Sequence, residues 1–354
     1  MNQIIAIDYG RSTVKGARGL DNNDTLIIPN SLSWDNKGIN KKLDLTNVDK
    51  IKENPLDYLK VKIDGVEFIV GKLANDSEYV IHPSNFDIEE DEDTKKIILA
   101  ALSYLVSHDG ENECPNINLA LTLSADQYQL KKDSFAKVYK NKSFAVEFYD
   151  HDHNNYHKKE FYVDNVLVKQ QGFFAFMHSV LNNEGKIIDD KENIFSNTIG
   201  VIDIGHYSTD LFVCDNLDPV PIKNVETKIP GMDKAFSDIM TSLEEEHGIL
   251  PKEHKIRRLL EKGRRITKSG RKINDIEIVN KHFDVLARII SSQILNKLTI
   301  SIKEIDNLFV CGGGAKSEYL RNKISEYTKR KLKIIEEPRM ANALGALKLA
   351  RRSF

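Results

Sequence analysis

Cysteine is scarce in this sequence: Cys114, Cys214 and Cys311 stand far apart and form no Cys-x-x-Cys pair. Neither a disulfide framework nor a zinc ribbon fits that pattern, and the two that sit inside apolar runs read as small buried hydrophobes. Net charge is almost absent as well. The 51 Lys and Arg nearly balance the 53 Asp and Glu, for a formal −2. That excludes a generally basic nucleic-acid binder and leaves room only for a local patch. No apolar run approaches the roughly 20 residues that span a bilayer, so no membrane partner is expected. The opening Met1-Asn2-Gln3-Ile4 lacks the basic segment and long apolar stretch of a signal peptide, and a cytoplasmic location is expected.

What is present describes an ordinary globular chain. At roughly 150 residues per domain, 354 residues predict two domains. A hydrophobic content of 40% with 29% charged residues is typical of packed cores with wet surfaces.

The apolar run Ile4 to Ile7 closes on Asp8-Tyr9-Gly10 and reads as a buried strand followed by a turn. Trp34 falls in a polar loop, where a buried aromatic is expected. The acidic stretch 87–93 precedes the apolar run Ile97 to Val106, as a helix N-terminus prefers. It lacks the glycine and closing glutamate of a calcium loop. Ile117 to Leu123 reads as a strand, followed by a polar, hairpin-like region carrying His151, His153 and His157. Those histidines are irregularly spaced and read as a solvated loop rather than a metal site. An alternating strand, Phe161 to Val168, leads into a helix from about Gln171 to Leu181. The polar residues 183–198 are the best candidate linker. After them come helices near 233–247, 254–267 and 283–298, a buried strand Leu308 to Cys311, and a helix beginning near Ser317. The basic run 255–272 and Lys329 to Lys333 read as solvated faces.

One unit occurs twice. Ile4 to Ile7 followed by Asp8-x-Gly10-Arg11-Ser12-Thr13-Val14-Lys15 has its counterpart in Ile199 to Ile202 followed by Asp203-x-Gly205-His206-Tyr207-Ser208-Thr209. A duplicated two-lobed protein is expected. The turn of such a hairpin exposes successive backbone N–H groups, which make an anion-binding concavity to which Ser and Thr hydroxyls add donors. The aspartate at each strand end offers a hard oxygen ligand of the kind that holds magnesium beside phosphates. Two facing hairpins therefore predict a phosphate–magnesium clamp. Gly312-Gly313-Gly314-Ala315 ends the last buried strand, where missing Cβ atoms let a flat base and ribose approach. Neither G-x-G-x-x-G nor a Walker sequence is present.

The order of Asp8 hairpin, Gln171 region, Asp203 hairpin, Gly312 triplet and Met340-Ala-Asn-Ala-Leu-Gly345 resembles the actin/hexokinase/heat-shock-chaperone ATPase superfamily over essentially the whole chain. Within it, the length is most similar to the bacterial actin-like plasmid-segregation filaments of ParM type. The resemblance implies an α/β fold of two RNase H-like domains with a nucleotide cleft between them, namely 1–178 with 337–354, and 179–336. It implies ATP or GTP with Mg2+, Asp8 and Asp203 holding the metal mostly through water. Gly10, Arg11, Ser12, Thr13 and Lys15 would face the phosphates, as would Gly205, His206, Tyr207 and Ser208. Gly231 would lie on the ribose side, Glu261 and Lys262 near ribose or base, and Gly312, Gly313, Gly314 and Ala315 around the adenosine. Gln171 would orient the attacking water, with Gln170 as the neighbouring alternative. This departs from the glutamate of the plasmid-type pattern. The function so implied is a filament-forming ATPase that segregates plasmid DNA through a DNA-bound adaptor, its self-assembly promoted by ATP. A small-molecule kinase is the alternative; the length leaves no room for a chaperone's substrate-binding domain.

Overall fold

A computed structural model of the chain describes residues 2–21, 24–34, 55–75, 77–83, 88–107, 114–150, 155–224, 228–249, 253, 256, 267–268, 271–272 and 275–354. The chain forms two compact units: Met1–Asp189 with Asn342–Phe354, and Asp190–Ala341. The second is thus an insertion into the first.

In the first unit the strands are β1 (Gln3–Tyr9), β2 (Thr13–Ala17), β3 (Thr25–Pro29), β4 (Leu32–Ser33), β5 (Lys60–Ile63), β6 (Val66–Val70), β7 (Asn116–Leu123), β8 (Lys142–Asp150) and β9 (Asn155–Gln170). They form one nine-stranded sheet in the order β3-β2-β1-β7-β9-β8-β5-β6-β4. The hairpins β1–β2 and β2–β3 are antiparallel, whereas β1–β7 and β7–β9 are parallel. Burial on both faces explains why β1 and β7 read as continuous apolar runs rather than alternating ones.

Helix α1 (Glu92–Leu105) packs against β1, β2, β3 and β8. Its apolar residues lie nearly all round, and Ile97 through Leu102 are all buried. Asp91 caps it, accepting from the Asp93 and Thr94 amides, with Glu92 and Asp93 in the first turn. At the other end Lys159 Nζ donates to the Ser103 carbonyl at 2.9 Å, and Arg18 Nη1 to that of Leu105 at 3.0 Å. Anions at the start and cations at the end oppose the helix dipole.

Helix α2 (Ala125–Tyr139) occupies the first part of the segment expected to be hairpin-like, and the antiparallel pair β8–β9 makes the later part a hairpin. Its only fully buried residues beyond the first turn are Phe135 and Tyr139, too sparse a stripe to show a 3.6-residue period. Trp34 also departs from expectation. It is 41% exposed, its ring 5.8 Å from that of Phe68 with Lys96 Nζ 4.6 Å from its centroid, so one face packs while the rest stays wet. Tyr139 itself is fully buried, and its hydroxyl has no hydrogen-bond partner. A buried unsatisfied hydroxyl is destabilising. Tyr139→Phe is therefore expected to leave stability unchanged or raise it by up to about 1 kcal/mol, measured by urea titration. A loss above that size would show that the hydroxyl has a partner in solution.

Helix α3 (Phe173–Val180) starts two residues later than Gln171, because Gly172 takes φ +83°, which no helix continues through. Residues 183–198, the expected linker, hold a turn and a short 3-10 stretch, Asp189–Ser196.

The second unit contains β10 (Thr198–Ile204), β11 (Ser208–Asp215), β12 (Asp218–Pro219), β13 (Ile229–Pro230), α4 (Met232–His247), α5 (Asp275–Lys297), β14 (Asn307–Cys311), α6 (Glu318–Thr328) and β15 (Leu332–Ile334). The sheet order is β12-β11-β10-β14-β15, with β13 on β11. β10–β11 and β11–β12 are antiparallel, β10–β14 and β14–β15 parallel. The path β3-β2-β1-β7-β9 of the first unit has the same order and directions, so the duplicated sequence unit is duplicated in topology.

The last helix, α7 (Ala341–Ser353), packs on α3 in the first unit. A Cβ built on Gly345 would lie 1.7 Å from the Phe174 carbonyl oxygen. Asn342 Oδ1 accepts from the Gly172 amide at 3.0 Å, and Lys348 Nζ donates to the Leu181 carbonyl at 2.9 Å.

Candidate functional site

In the first unit, β1 carries Asp8 near its C-terminal end, fully buried, directly across the hairpin from Lys15. Lys15 Nζ lies 2.6 Å from Asp8 Oδ2. The other carboxylate oxygen accepts twice: from Thr122 Oγ1 on β7 at 2.6 Å and from Gln171 Nε2 at 2.9 Å. Burial alone would raise the Asp8 pKa. The Lys15 charge and the bonds from Lys15, Thr122 and Gln171 outweigh it and hold the carboxyl below the usual aspartate value.

Gln171 is set by its main chain, whose amide donates to the Leu123 carbonyl at 2.7 Å just past the β7–β9 ladder. Gln170 is the last ladder residue, opposite Leu123. Of the two glutamines, Gln171 reaches Asp8. Since a carboxylate only accepts, the Gln171 NH2 must face Asp8, which leaves its carbonyl oxygen as an acceptor for another group. A glutamate here would set two carboxylates against each other, one reason for glutamine at this position.

The turn at 10–13 is tight: Gly10 N donates to the Thr13 carbonyl at 3.2 Å, and a Cβ on Gly10 would sit 2.8 Å from that oxygen. Arg11 and Ser12 are half-buried at its tip, and Thr13 opens β2.

The second unit repeats this geometry. Asp203, 8% exposed, lies near the end of β10, and Gly205 N donates to the Ser208 carbonyl at 2.9 Å. A Cβ on Gly205 would meet that oxygen at 2.7 Å, which accounts for glycine in both copies. His206 is held by the Tyr207 ring at 4.5 Å and by Glu253 Oε1 at 3.4 Å, while Tyr207 is half-exposed. Gly231 backs onto the turn, and a Cβ there would lie 2.3 Å from the His206 carbonyl. Gly312 has φ +84° and packs so closely on Asp203 that a Cβ would fall 2.3 Å from Oδ1. Gly314 and Ala315 are buried, Gly314 against Ile204 and Met232. A Cβ on Gly313, by contrast, meets no atom of the described residues within 4 Å.

The structure therefore gathers Asp8, Gly10 to Thr13, Lys15 and Gln171 in one unit, and Asp203, Gly205 to Ser208, Gly231 and Gly312 to Ala315 in the other. Glu261, Lys262, His151 and His153 lie outside the described residues, as does most of 255–272. The sequence reading did not single out Thr122 as a site residue. Its signal was a lone hydroxyl among the apolar residues of Asn116–Leu123, at the strand end beside Asp8. Among the described residues no group of three or more His, Cys, Asp or Glu could hold a metal by itself, and no helix is long and apolar enough to cross a membrane.

In each unit a hard carboxylate oxygen beside a turn of small or hydroxyl-bearing residues suits a magnesium-bound phosphate, and the first unit adds one cationic amine. Among the described residues no atom crowds Gly313, which leaves room for a flat group.

Two family models match the chain, the N-terminal domain of actin-like proteins over residues 6–173 and the C-terminal part of the archaeal, MreB-like actin homologue over 201–326. No curated protein matches it. Among solved structures, a 15-stranded ParM filament from Clostridium botulinum is 22% identical, covering 99% of this chain and 100% of its own, at a TM-score of 0.73. The archaeal actin homologue Ta0583 is 18% identical, with 99% of each chain covered and a TM-score of 0.75. The complex of that protein with ADP matches at 0.72, with 18% identity over 99% of this chain and all of that one. At such identities the likeness establishes the fold.

Proposed function

From the premise that the chain is actin-like in both of its units, we propose that it is a nucleotide-dependent, filament-forming ATPase. The observation that carries this reading is Asp8, fully buried yet held ionised by Lys15, Thr122 and Gln171 beside a turn rich in small and polar residues. The same strand–Asp–turn geometry recurs at Asp203. Asp8 and Asp203 would hold magnesium, chiefly through its waters, and bound magnesium would neutralise phosphate charge. Lys15 is near enough to Asp8 to serve as the phosphate cation. Gly10 to Thr13 and Gly205 to Ser208 supply amides and hydroxyls, and Gly312 to Ala315 with Gly231 receive the nucleoside.

Gln171 points to hydrolysis rather than transfer to a hydroxyl substrate. Its free carbonyl oxygen can align a water but cannot take its proton near neutral pH. A small-molecule kinase needs a carboxylate base. Asp8, the carboxylate beside Gln171, already receives three donors; Asp126 is held by Ser124 and Asp164 by Asn2. Gln171→Ala is expected to slow phosphate release at least tenfold while nucleotide affinity changes less than threefold. Hydrolysis at the wild-type rate would remove Gln171 from this role.

ATP binding would favour head-to-tail contacts between copies, a heterologous interface that does not close, and hydrolysis would weaken them. In a segregation system such a filament would move plasmid DNA through a DNA-bound adaptor protein. Adding MgATP to the purified protein tests the assembly: light scattering should rise together with phosphate release, and negative-stain images should show filaments. A protein that stays monomeric and turns over only with an added hydroxyl substrate would overturn the reading in favour of a kinase.

A further inference from the structure

We propose that Asn30 is the positioning residue for the phosphate-facing turn of the first unit, a role that rests on the nucleotide reading above. The observation is a parallel between the two hairpins. In the second unit the turn carbonyls are held from behind by the start of α4: Met232 N donates to the Gly205 carbonyl at 3.2 Å, and Asp233 N to that of His206 at 2.9 Å. Among the described residues no helix N-terminus donates to the turn carbonyls of the first hairpin. There Asn30 holds two turn carbonyls, its Nδ2 donating at 3.1 Å to that of Gly10, the counterpart of Gly205, and its main-chain N at 2.9 Å to that of Ser12, one residue beyond the counterpart of His206. The within-turn bonds match too, Gly10 N to Thr13 O and Gly205 N to Ser208 O. Asn30 is 2% exposed, so water does not compete for these bonds.

A turn whose carbonyls are committed on one side keeps its amides as the donors an anion can use. In the first unit the commitment of the Gly10 carbonyl hangs on one side-chain amide. Asparagine is required because its NH2 donates where the isosteric aspartate only accepts. The turn bearing Asn30 is anchored independently. Ser31 Oγ donates to the Gly71 carbonyl at 2.8 Å and Gly71 N to that of Ser31 at 2.9 Å, so substituting the Asn30 side chain leaves those supports in place.

Calorimetric titration of wild type, Asn30→Ala and Asn30→Asp with MgADP and with adenosine tests the proposal. Both variants should bind MgADP about tenfold more weakly, with adenosine affinity within twofold of wild type. A merely structural role would weaken both ligands alike, and that outcome overturns the proposal. So does wild-type MgADP affinity in either variant. Wild type failing to bind MgADP would instead sink the nucleotide reading itself. Should the variants fail to fold, hydrogen exchange in wild type decides: the Asn30 amide should slow at least threefold with MgADP and not with adenosine. Unchanged exchange under MgADP overturns the assignment.

Discussion

Gly345→Ala should lower the stability of the first unit by about 3 kcal/mol or more, and its thermal midpoint by roughly 10 °C. Two effects oppose each other at this position. Alanine is the better helix former, worth about 1 kcal/mol within α7. Against that, the added Cβ would stand 1.7 Å from the Phe174 carbonyl oxygen and 2.6 Å from its carbon, both backbone atoms that no rotamer change can move. The helices must separate, and Asn342 and Lys348 lose their bonds to the Gly172 amide and Leu181 carbonyl as they do. The clash wins. Gly313→Ala is the control, since it meets no atom of the described residues within 4 Å and takes φ −63°. Differential scanning calorimetry separates the two variants. A Gly345→Ala protein melting within 2 °C of wild type would show that α3 and α7 can part without penalty.

Asp8→Asn should destabilise the first unit by about 3 kcal/mol, and on the proposed function reduce hydrolysis at least a hundredfold. The amide keeps an acceptor for Thr122 and Gln171 but presents no charge to Lys15, whose side chain is only 16% exposed. Removing one partner of a buried pair costs more than removing both. Adding Lys15→Met to Asp8→Asn should therefore recover part of the stability, and strict additivity of the two substitutions would refute the coupling. The sign of the pH dependence follows from the lowered Asp8 pKa. A folded-state value below the unfolded one stabilises at pH above about 4, and that stabilisation is lost as pH falls through the folded value. Wild type should thus lose stability more steeply than Asp8→Asn below pH of about 4, as read by acid titration of the circular dichroism signal.

Much of this was legible in the residues because the signals were local and repeated. A buried strand closing on Asp-x-Gly needs only a few residues, and its second copy identified the duplicated unit. The ion pair Asp8–Lys15 is equally local, since the hairpin register sets the two face to face, but the residues were read singly, as a metal holder and a phosphate cation. Gln171 was readable as a polar residue at a strand end. Thr122 and Asn30 were not, for a different reason in each case. Thr122 reaches Asp8 through the parallel pairing of β1 with β7 across more than a hundred residues. Asn30 serves a turn formed twenty positions earlier, and its work falls partly to a backbone amide that any residue but proline carries. Helix α2 escaped because only Phe135 and Tyr139 mark its inner face. Trp34 misled because an indole can pack one face and leave the rest in water.

That the second unit is inserted into the first has a consequence for synthesis on the ribosome. All of Asp190–Ala341 has been made before residues 342–354 exist, yet those last residues complete the first unit by packing Gly345 against Phe174 and tying Asn342 to Gly172. Domains fold as units while the chain emerges at roughly 5–20 residues per second. The N-terminal unit, begun first, is therefore finished last. Until α7 leaves the tunnel, the backbone of α3 from Phe174 to His178, against which Gly345 packs, stays uncovered on the nascent chain.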